Sequence, residues 1–270
     1  MPMEYHIPYY LLIAMVMVLG AVVGSFLNVV ILRLPASMLG AKETIVWPAS
    51  RCPRCKNPLA WYDNIPLVSF MLLRRRCRAC QAKISWRYPL VEAAMAGLAL
   101  ALLLRLGLTL DWLIYFIFSA ALLAILFIDL DHQLIPDVIS LPGIVLGFAA
   151  SFVLSGVTWV DAGLGILLGG GSFYLVALGY RLATGRDGMG GGDIKLLAML
   201  GAFLGWQSLP FIILASSLLG LVVGIGAMIR QGKGGRSVIP FGPFLVVAAW
   251  LWLFFPAWID ELWHLLFLPQ

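Results

Sequence analysis

Charge is scarce in this chain. Only 11% of its 270 residues are charged, against 62% hydrophobic, where a soluble domain carries roughly a quarter charged. So few polar groups cannot cover a folded surface, which argues against an ordinary soluble domain and leaves most of that surface to face lipid. The start of the chain, Met1-Pro2-Met3-Glu4-Tyr5-His6, has no basic stretch. The apolar run from Pro8 to Leu32 is too long for the core of a signal peptide and has no obvious small-residue cleavage site. It is expected to stay as a first transmembrane helix. No internal repeat is visible, which weighs against the two-fold architecture of many transporters.

A bilayer core takes about 20 apolar residues per helix, and on that basis about eight spans are expected. They run roughly Tyr9–Leu32, Pro89–Leu106, Asp111–Ile128, Val138–Gly156, Ala162–Leu182, Ile194–Trp206, Ser208–Ile229 and Phe241–Leu262, the sixth being short. The fold class is therefore an all-α polytopic membrane protein with one polar insertion between the first two spans. That insertion, Arg33 to Tyr88, holds Lys42, Arg51, Arg54, Lys56, Arg74, Arg75, Arg76, Arg78, Lys83 and Arg87, and later loops hold Arg186, Lys233 and Arg236. With the insertion in the cytoplasm, every Lys and Arg except Arg105 lies on or near the cytoplasmic side, as the positive-inside rule asks. Both termini are then outside. The net charge of +5 needs no nucleic-acid partner. Glycines within the spans, as in Gly163-Leu164-Gly165 and Gly169-Gly170-Gly171, suit close helix packing.

The only cysteines are in Cys52-Pro53-Arg54-Cys55 and Cys77-Arg78-Ala79-Cys80, two Cys-x-x-Cys pairs with 21 residues between them. That is close to the spacing of a four-cysteine zinc site. Disulfides or free thiols are the alternatives. A closed four-thiolate site predicts a structural zinc.

Two acidic stretches stand out. Gly188-Met189-Gly190-Gly191-Gly192-Asp193-Ile194-Lys195 is glycine-rich, then acidic, then apolar. A carboxylate at the mouth of an apolar segment loses hydration, while a plain helix cap is the bland alternative. Ile128-Asp129-Leu130-Asp131-His132-Gln133-Leu134-Ile135-Pro136-Asp137 crowds three aspartates into what reads as a short loop. There Asp137 suits an N-cap, Asp131 can be solvated, His132 is expected to be a surface residue, and Asp129 ends a long apolar run. Span parity brings Asp129 and Asp193 to the same, cytoplasmic, membrane edge. Two carboxylates meeting in a poorly solvated crevice cannot both ionise easily, which is how an aspartic protease prepares one acid and one base. An ion-coupled transporter would also carry intramembrane carboxylates, and a membrane-anchored zinc ribbon without catalysis is a third class. The transporter would place its carboxylates nearer the midplane, and the ribbon leaves both aspartate motifs unexplained.

Across nearly its whole length the chain resembles the type IV prepilin peptidases. The stretches that carry the resemblance are GSFLNVVILRLP at Gly24–Pro35, CPRC at Cys52–Cys55, NIPLVSF at Asn64–Phe70, RYPLVE at Arg87–Glu92, IDLDHQLIPD at Ile128–Asp137, GMGGGDIKLLAMLGA at Gly188–Ala202 and IPFGPFL at Ile239–Leu245. The resemblance implies a bifunctional enzyme of the bacterial inner membrane. Such an enzyme cuts the basic leader from prepilins or pseudopilins on the cytoplasmic side and N-methylates the new N-terminal residue with S-adenosylmethionine. It places the catalytic aspartates at Asp129 and Asp193 and the zinc ligands at Cys52, Cys55, Cys77 and Cys80. The expected organisation is a first transmembrane helix over residues 1–32, a cytoplasmic zinc subdomain over 33–88 and a membrane peptidase domain over 89–270. The family commonly carries glycine, in a position linked to methyl transfer, where this chain has Arg75.

Overall fold

The computed structural model describes residues 8–38, 40, 44–185, 190–231, 240–256, 258–259 and 261. Among them the chain forms nine α-helices: α1 (Tyr9–Met38), α2 (Val68–Leu72), α3 (Arg87–Leu106), α4 (Leu110–His132), α5 (Asp137–Ala150), α6 (Trp159–Thr184), α7 (Gly191–Leu204), α8 (Leu209–Gln231) and α9 (Gly242–Phe254). Only α2 lies inside the polar insertion. The other eight coincide with the eight apolar segments expected from the sequence. Five stretches, namely α1, α3, α4, α6 and Trp206–Gly226, are long and apolar enough to cross a membrane. The 14 residues of α5, the 14 of α7 and the 13 of α9 each rise only about 20 Å, short of a bilayer core of roughly 30 Å.

Helix ends differ from the expected edges where local chemistry decides them. The first helix runs six residues past Leu32, through Pro35, to Met38. The third span does not end at Ile128 but continues to His132, so Asp129 and Asp131 sit in its last turns rather than in a loop. Helix α6 starts three residues early because Thr158 caps it. The Thr158 hydroxyl accepts the Asp161 N–H at 3.2 Å and the Asp161 carboxylate accepts the Thr158 N–H at 3.2 Å, a reciprocal capping box. Gly185, at φ +69°, closes the same helix. Arg186, Gly188, Met189, Lys233, Arg236, Ile239 and Leu262 lie outside the described residues, as does Lys42.

The chain divides into two compact units, residues 1–124 and 125–270. In the first, α1 packs on α3 through glycine. A Cβ on Gly20 would come to 2.7 Å from the Ala96 Cα, and one on Gly24 to 2.7 Å from the Glu92 Cα. Neither position tolerates a side chain, so the two backbones run in contact. Helix α4 begins beside them, with the Trp112 indole N–H donating to the Ala99 carbonyl at 3.1 Å.

In the second unit α7 is the buried centre. Every residue from Leu196 to Leu204 is buried, with α5 and α6 packed against it. Gly165 of α6 and Gly201 of α7 meet backbone to backbone, and a Cβ on either would overlap the other's carbonyl. A Cβ on Gly169 would come to 2.7 Å from the Leu197 carbonyl oxygen. The expectation of tight packing holds for Gly165 and Gly169, whereas Gly171 faces open space. On α6, Leu167, Leu175 and Leu182 are 70%, 67% and 78% exposed. They fall along one side of the helix, as a lipid-facing surface requires.

Gly201→Val is expected to destabilise the second unit by about 1–3 kcal/mol or more, because a crowded interface has no room for added methyls. Gly171→Ala, on the open side of α6, is expected to be neutral. Thermal unfolding of the two variants in detergent compares them directly.

Candidate active site and metal centre

The local sequence around each site explains its shape. In the insertion the two Cys-x-x-Cys segments fold as twin turns. The Cys52 N–H donates to the Asn57 carbonyl and the Lys56 N–H to the Cys52 carbonyl, both at 2.9 Å. In the second turn the Cys77 N–H donates to the Ala82 carbonyl and the Gln81 N–H to the Cys77 carbonyl, also at 2.9 Å. The residue after the second cysteine is left-handed in each, Lys56 at φ +60° and Gln81 at φ +58°. Flanking bridges pair Arg51 with Pro58 and Arg76 with Lys83.

The twin turns bring the four sulfurs of Cys52, Cys55, Cys77 and Cys80 to within 4.8 Å of one another, a group that can hold a metal ion. All four thiols are free of disulfides. Backbone N–H groups, first that of Cys55, pull the Cys52 thiol down from 9.0 to about 6, while, against the Asn57 N–H, burial and the neighbouring cysteines push the Cys55 thiol up to about 11. A thiolate at neutral pH is the form that binds metal.

Arg78 locks the insertion from outside the cluster. Its Nη2 lies 2.7 Å from Asp63 Oδ1 and its Nε 3.1 Å from Asp63 Oδ2, with the guanidinium 5.2 Å from the centre of the Tyr62 ring. Arg75 occupies a left-handed position, φ +63°, which favours glycine. It is anchored there. Its Nε donates to the Ile84 carbonyl at 3.3 Å and its guanidinium stacks 5.3 Å from the centre of the Trp86 ring.

The second unit places the two singled-out aspartates. Asp129, which ends the apolar run after Ile128, is 5% exposed. Its Oδ2 accepts the backbone N–H of Gly242 at 3.0 Å. Asp193 occupies the third position of α7, half-buried, where the partial positive charge of a helix N-terminus suits a carboxylate. The two carboxyls are near enough for the charge of Asp129 to act on Asp193. Ile135 is the wedge between their supports. A Cβ on Gly192 would come to 2.9 Å from the Ile135 Cβ, and one on Gly242 to 3.3 Å from its Cδ1. Gly192 is thus needed for close approach rather than for a turn, since it lies in the first turn of α7.

The remaining polar residues take other places. Asp137 is the first residue of α5, behind Pro136 in the N-cap position, so the N-cap reading of Asp137 is corrected. Its carboxylate instead binds Lys195 Nζ at 2.7 Å and 2.8 Å, tying the first turn of α5 to that of α7. Asp131 and His132 are exposed. The sequence reading missed Gly242, Ile135 and Lys195 as parts of the site. The Phe241-Gly242-Pro243 element was visible, but nothing in it reveals that its N–H is spent on an aspartate 113 positions away.

Comparison with known proteins decides the family. The chain is 39% identical over 267 residues to the prepilin leader peptidase/N-methyltransferase of Pseudomonas putida, covering 93% of this chain and 92% of the relative. This chain belongs to the prepilin leader peptidase family. The relative of the same name from Aeromonas hydrophila is 39% identical over 281 residues, covering 95% and 94%. That of Pseudomonas aeruginosa is 41% identical over 262 residues, covering 90% and 89%. The bacterial peptidase A24 N-terminal domain matches residues 18–106 and the type IV leader peptidase family matches residues 116–225. The first match contains the cysteine cluster, and the second contains both Asp129 and Asp193. No solved structure matches the chain.

Purified protein is expected to carry about one metal ion per chain, as one four-thiolate cluster provides. Elemental analysis measures it. Replacing Cys52 and Cys77 together by Ser should release the metal and open residues 44–85 to limited proteolysis.

Proposed function

We propose that this chain is a prepilin peptidase and N-methyltransferase of the bacterial cytoplasmic membrane, with Asp129 and Asp193 as its catalytic pair. The observation that supports this reading is that Gly242, whose N–H fixes Asp129, and Gly192, the neighbour of Asp193, both abut Ile135, which brings the two carboxyl-bearing helix ends together. A transporter would set such groups mid-helix.

Asp129 and Asp193 act as a coupled pair sharing one proton. The ionised member takes a proton from water as the water oxygen attacks the scissile carbonyl carbon. The neutral member donates its proton to the departing amide nitrogen as the C–N bond breaks. Gly242 contributes the N–H that orients Asp129, and the glycine leaves room for the carboxylate, since a Cβ there would lie 2.6 Å from Oδ2. The substrates are prepilins or pseudopilins whose hydrophobic segment lies in the bilayer with the cleavage site at its cytoplasmic edge.

The metal at the cysteine cluster is zinc. Zinc–thiolate bonds of about 2.3 Å in a tetrahedron put sulfurs roughly 3.8 Å apart, and the Cys52 and Cys80 sulfurs are 3.8 Å apart. Four protein ligands leave zinc no open position, so it stabilises the insertion of residues 33–88, while residues 89–270 form the membrane peptidase domain. S-adenosylmethionine supplies an electrophilic methyl group for the freed N-terminal amine. The cleft among residues 25–92, about 1310 Å³, exceeds the roughly 300–1,000 Å³ of ordinary small-molecule sites. It has room for a donor together with the end of an acceptor chain. The anchored Arg75 is turned onto Trp86, so its cation is occupied.

Asp129→Asn and Asp193→Asn are each expected to lower prepilin cleavage by about 1,000-fold or more while the protein stays folded, because an amide cannot exchange the proton. Gly242→Ala is expected to lower it about tenfold or more by displacing the Asp129 carboxyl. Asp131→Asn should change it less than threefold. Gel-shift assays on a purified prepilin measure all four, and normal cleavage by either Asn variant of the pair would overturn the assignment.

A further inference from the structure

The polar insertion contains ten consecutive uncharged residues, Asn64 to Leu73, set between Asp63 and the Arg74-Arg75-Arg76 triplet. The turn of α2 sorts them by face. Leu67 and Phe70 are half-buried, with Phe70 against Trp86 at 5.0 Å between ring centres. Ile65, Val68, Met71 and Leu72 are exposed, the last two at 67% and 77%. Spacings of three and four place these side chains on one side of a helical turn. In water they would form a bare apolar surface.

The contacts of this turn with α3 and α1 fix its depth. Helix α3 has 20 residues, a length of about 30 Å that the hydrocarbon core takes up entirely. Exposed Trp86 directly precedes it, a residue type that favours the membrane interface. Glu92 is five positions into α3, about 7–8 Å inside. Its Oε2 accepts the Leu67 N–H at 2.8 Å, and the Ser25 hydroxyl donates to the same carboxyl. Helix α1 agrees. Gly24 abuts the Cα of Glu92, and Arg33, just past the apolar run, is nine positions further on, about 13 Å along the helix. Leu67 therefore sits inside the ends of both apolar segments. A cavity of about 370 Å³ follows the same descent, bounded by exposed Val22 and Phe26 of α1 and by Val46 and Pro66 of the insertion.

Non-helical backbone at such depth needs internal partners for its N–H groups. Leu67, at φ +60°, gives its N–H to Glu92, and Pro66 has none to satisfy. The N–H groups of Val68, Ser69, Met71 and Leu73 bond to the carbonyls of Pro66, Ile65, Leu67 and Ser69.

We propose that residues 65–72 are an interfacial membrane anchor, with Ile65, Val68, Met71 and Leu72 in the acyl–headgroup boundary of the leaflet on the insertion side. The partner is anionic phospholipid. Arg74 and Arg76, both exposed, follow the anchor directly, and arginines beside an apolar interfacial turn gain from negative headgroups. Glu92 is the post that holds the turn at this depth. The four-cysteine cluster is thereby kept at the bilayer surface rather than in bulk water.

The test is photocrosslinking of the full-length, metal-loaded protein in nanodiscs of phosphatidylethanolamine and phosphatidylglycerol. The photoreactive residue p-benzoylphenylalanine replaces Met71, Leu72, Val18 or Ala79, one at a time. Val18 is 63% exposed on α1 and serves as the lipid-facing reference. Ala79, exposed between Cys77 and Cys80, is the water-facing reference. Unchanged metal content shows that each variant retains the folded insertion, and positions 71 and 72 report independently. Both should give lipid adducts at the Val18 level, about tenfold or more above Ala79, as interfacial burial implies. Their adducts should also be enriched in phosphatidylglycerol by about twofold or more over its share of the bilayer. Lipid adducts no higher than at Ala79, or crosslinks chiefly to a second copy of the chain, overturn the anchor. Adducts without phosphatidylglycerol enrichment overturn the assignment of anionic lipid. The readout needs neither cleavage nor methyl transfer, so it stands apart from the activities proposed above.

Discussion

A carboxylate at the end of an apolar helix must find a hydrogen-bond donor, and Asp129 finds it in the backbone of Gly242. The bond closes a loop of 113 positions and joins the end of α4 to the start of α9. A buried acceptor left without that donor costs on the order of 1–3 kcal/mol, and more when charged. The N-terminus of α9, the Ile135 loop and the start of α7 therefore have to arrive at one place. The glycines at Gly192 and Gly242 are the steric condition for their arrival. Removing side chains at these two points lets two backbone segments and two carboxyls occupy a volume that ordinary residues would fill.

The same economy of volume runs through the helix packing. Between helices in lipid there is little hydrophobic gain from association, so contact area and backbone proximity have to supply it. Gly165 against Gly201, and Gly20 and Gly24 against α3, provide that proximity in the two units separately. The short helices α5, α7 and α9 are compatible with this design. Helix α7 is enclosed by protein from Leu196 to Leu204, so it needs no bilayer-spanning length to satisfy its surroundings. Lys195 and Asp137 add registration at its first turn. Both are substantially exposed, at 36% and 50%, so the pair contributes about 1 kcal/mol at most and acts through position.

The insertion solves a different problem. It has little apolar core, and its exposed side chains include Val46, Trp47, Trp61, Met71 and Leu72. Its order comes from twin cysteine turns, the Arg78–Asp63 pair, and Arg33 of α1, which donates to the Thr44, Pro48 and Ala49 carbonyls. Glu92 holds it from the other side through Leu67. Arg75 shows how a left-handed backbone position is accommodated without glycine. The strain, roughly 1–2 kcal/mol for a non-glycine residue, is opposed by a hydrogen bond and a stacking contact with Trp86.

The sequence by itself determined the class of the protein, because hydropathy acts over whole segments and charge distribution over whole loops. The eight apolar helices, the polar insertion and the four-cysteine cluster were all legible from composition and spacing. So were Asp129 and Asp193 as the carboxyls out of place in apolar surroundings. Tertiary structure alone decided what those carboxyls touch. The Gly242 donor, the Ile135 wedge, the transfer of Asp137 from helix cap to Lys195, and the neutral cradle around Glu92 are contacts between distant segments. Their energies depend on separations of a few ångströms that no local pattern encodes. Helix ends were intermediate: the Thr158 box is readable once sought, but nothing local marks the extension of α4 past Asp129, whose carbonyl accepts the Gln133 N–H at 2.9 Å in an exposed last turn.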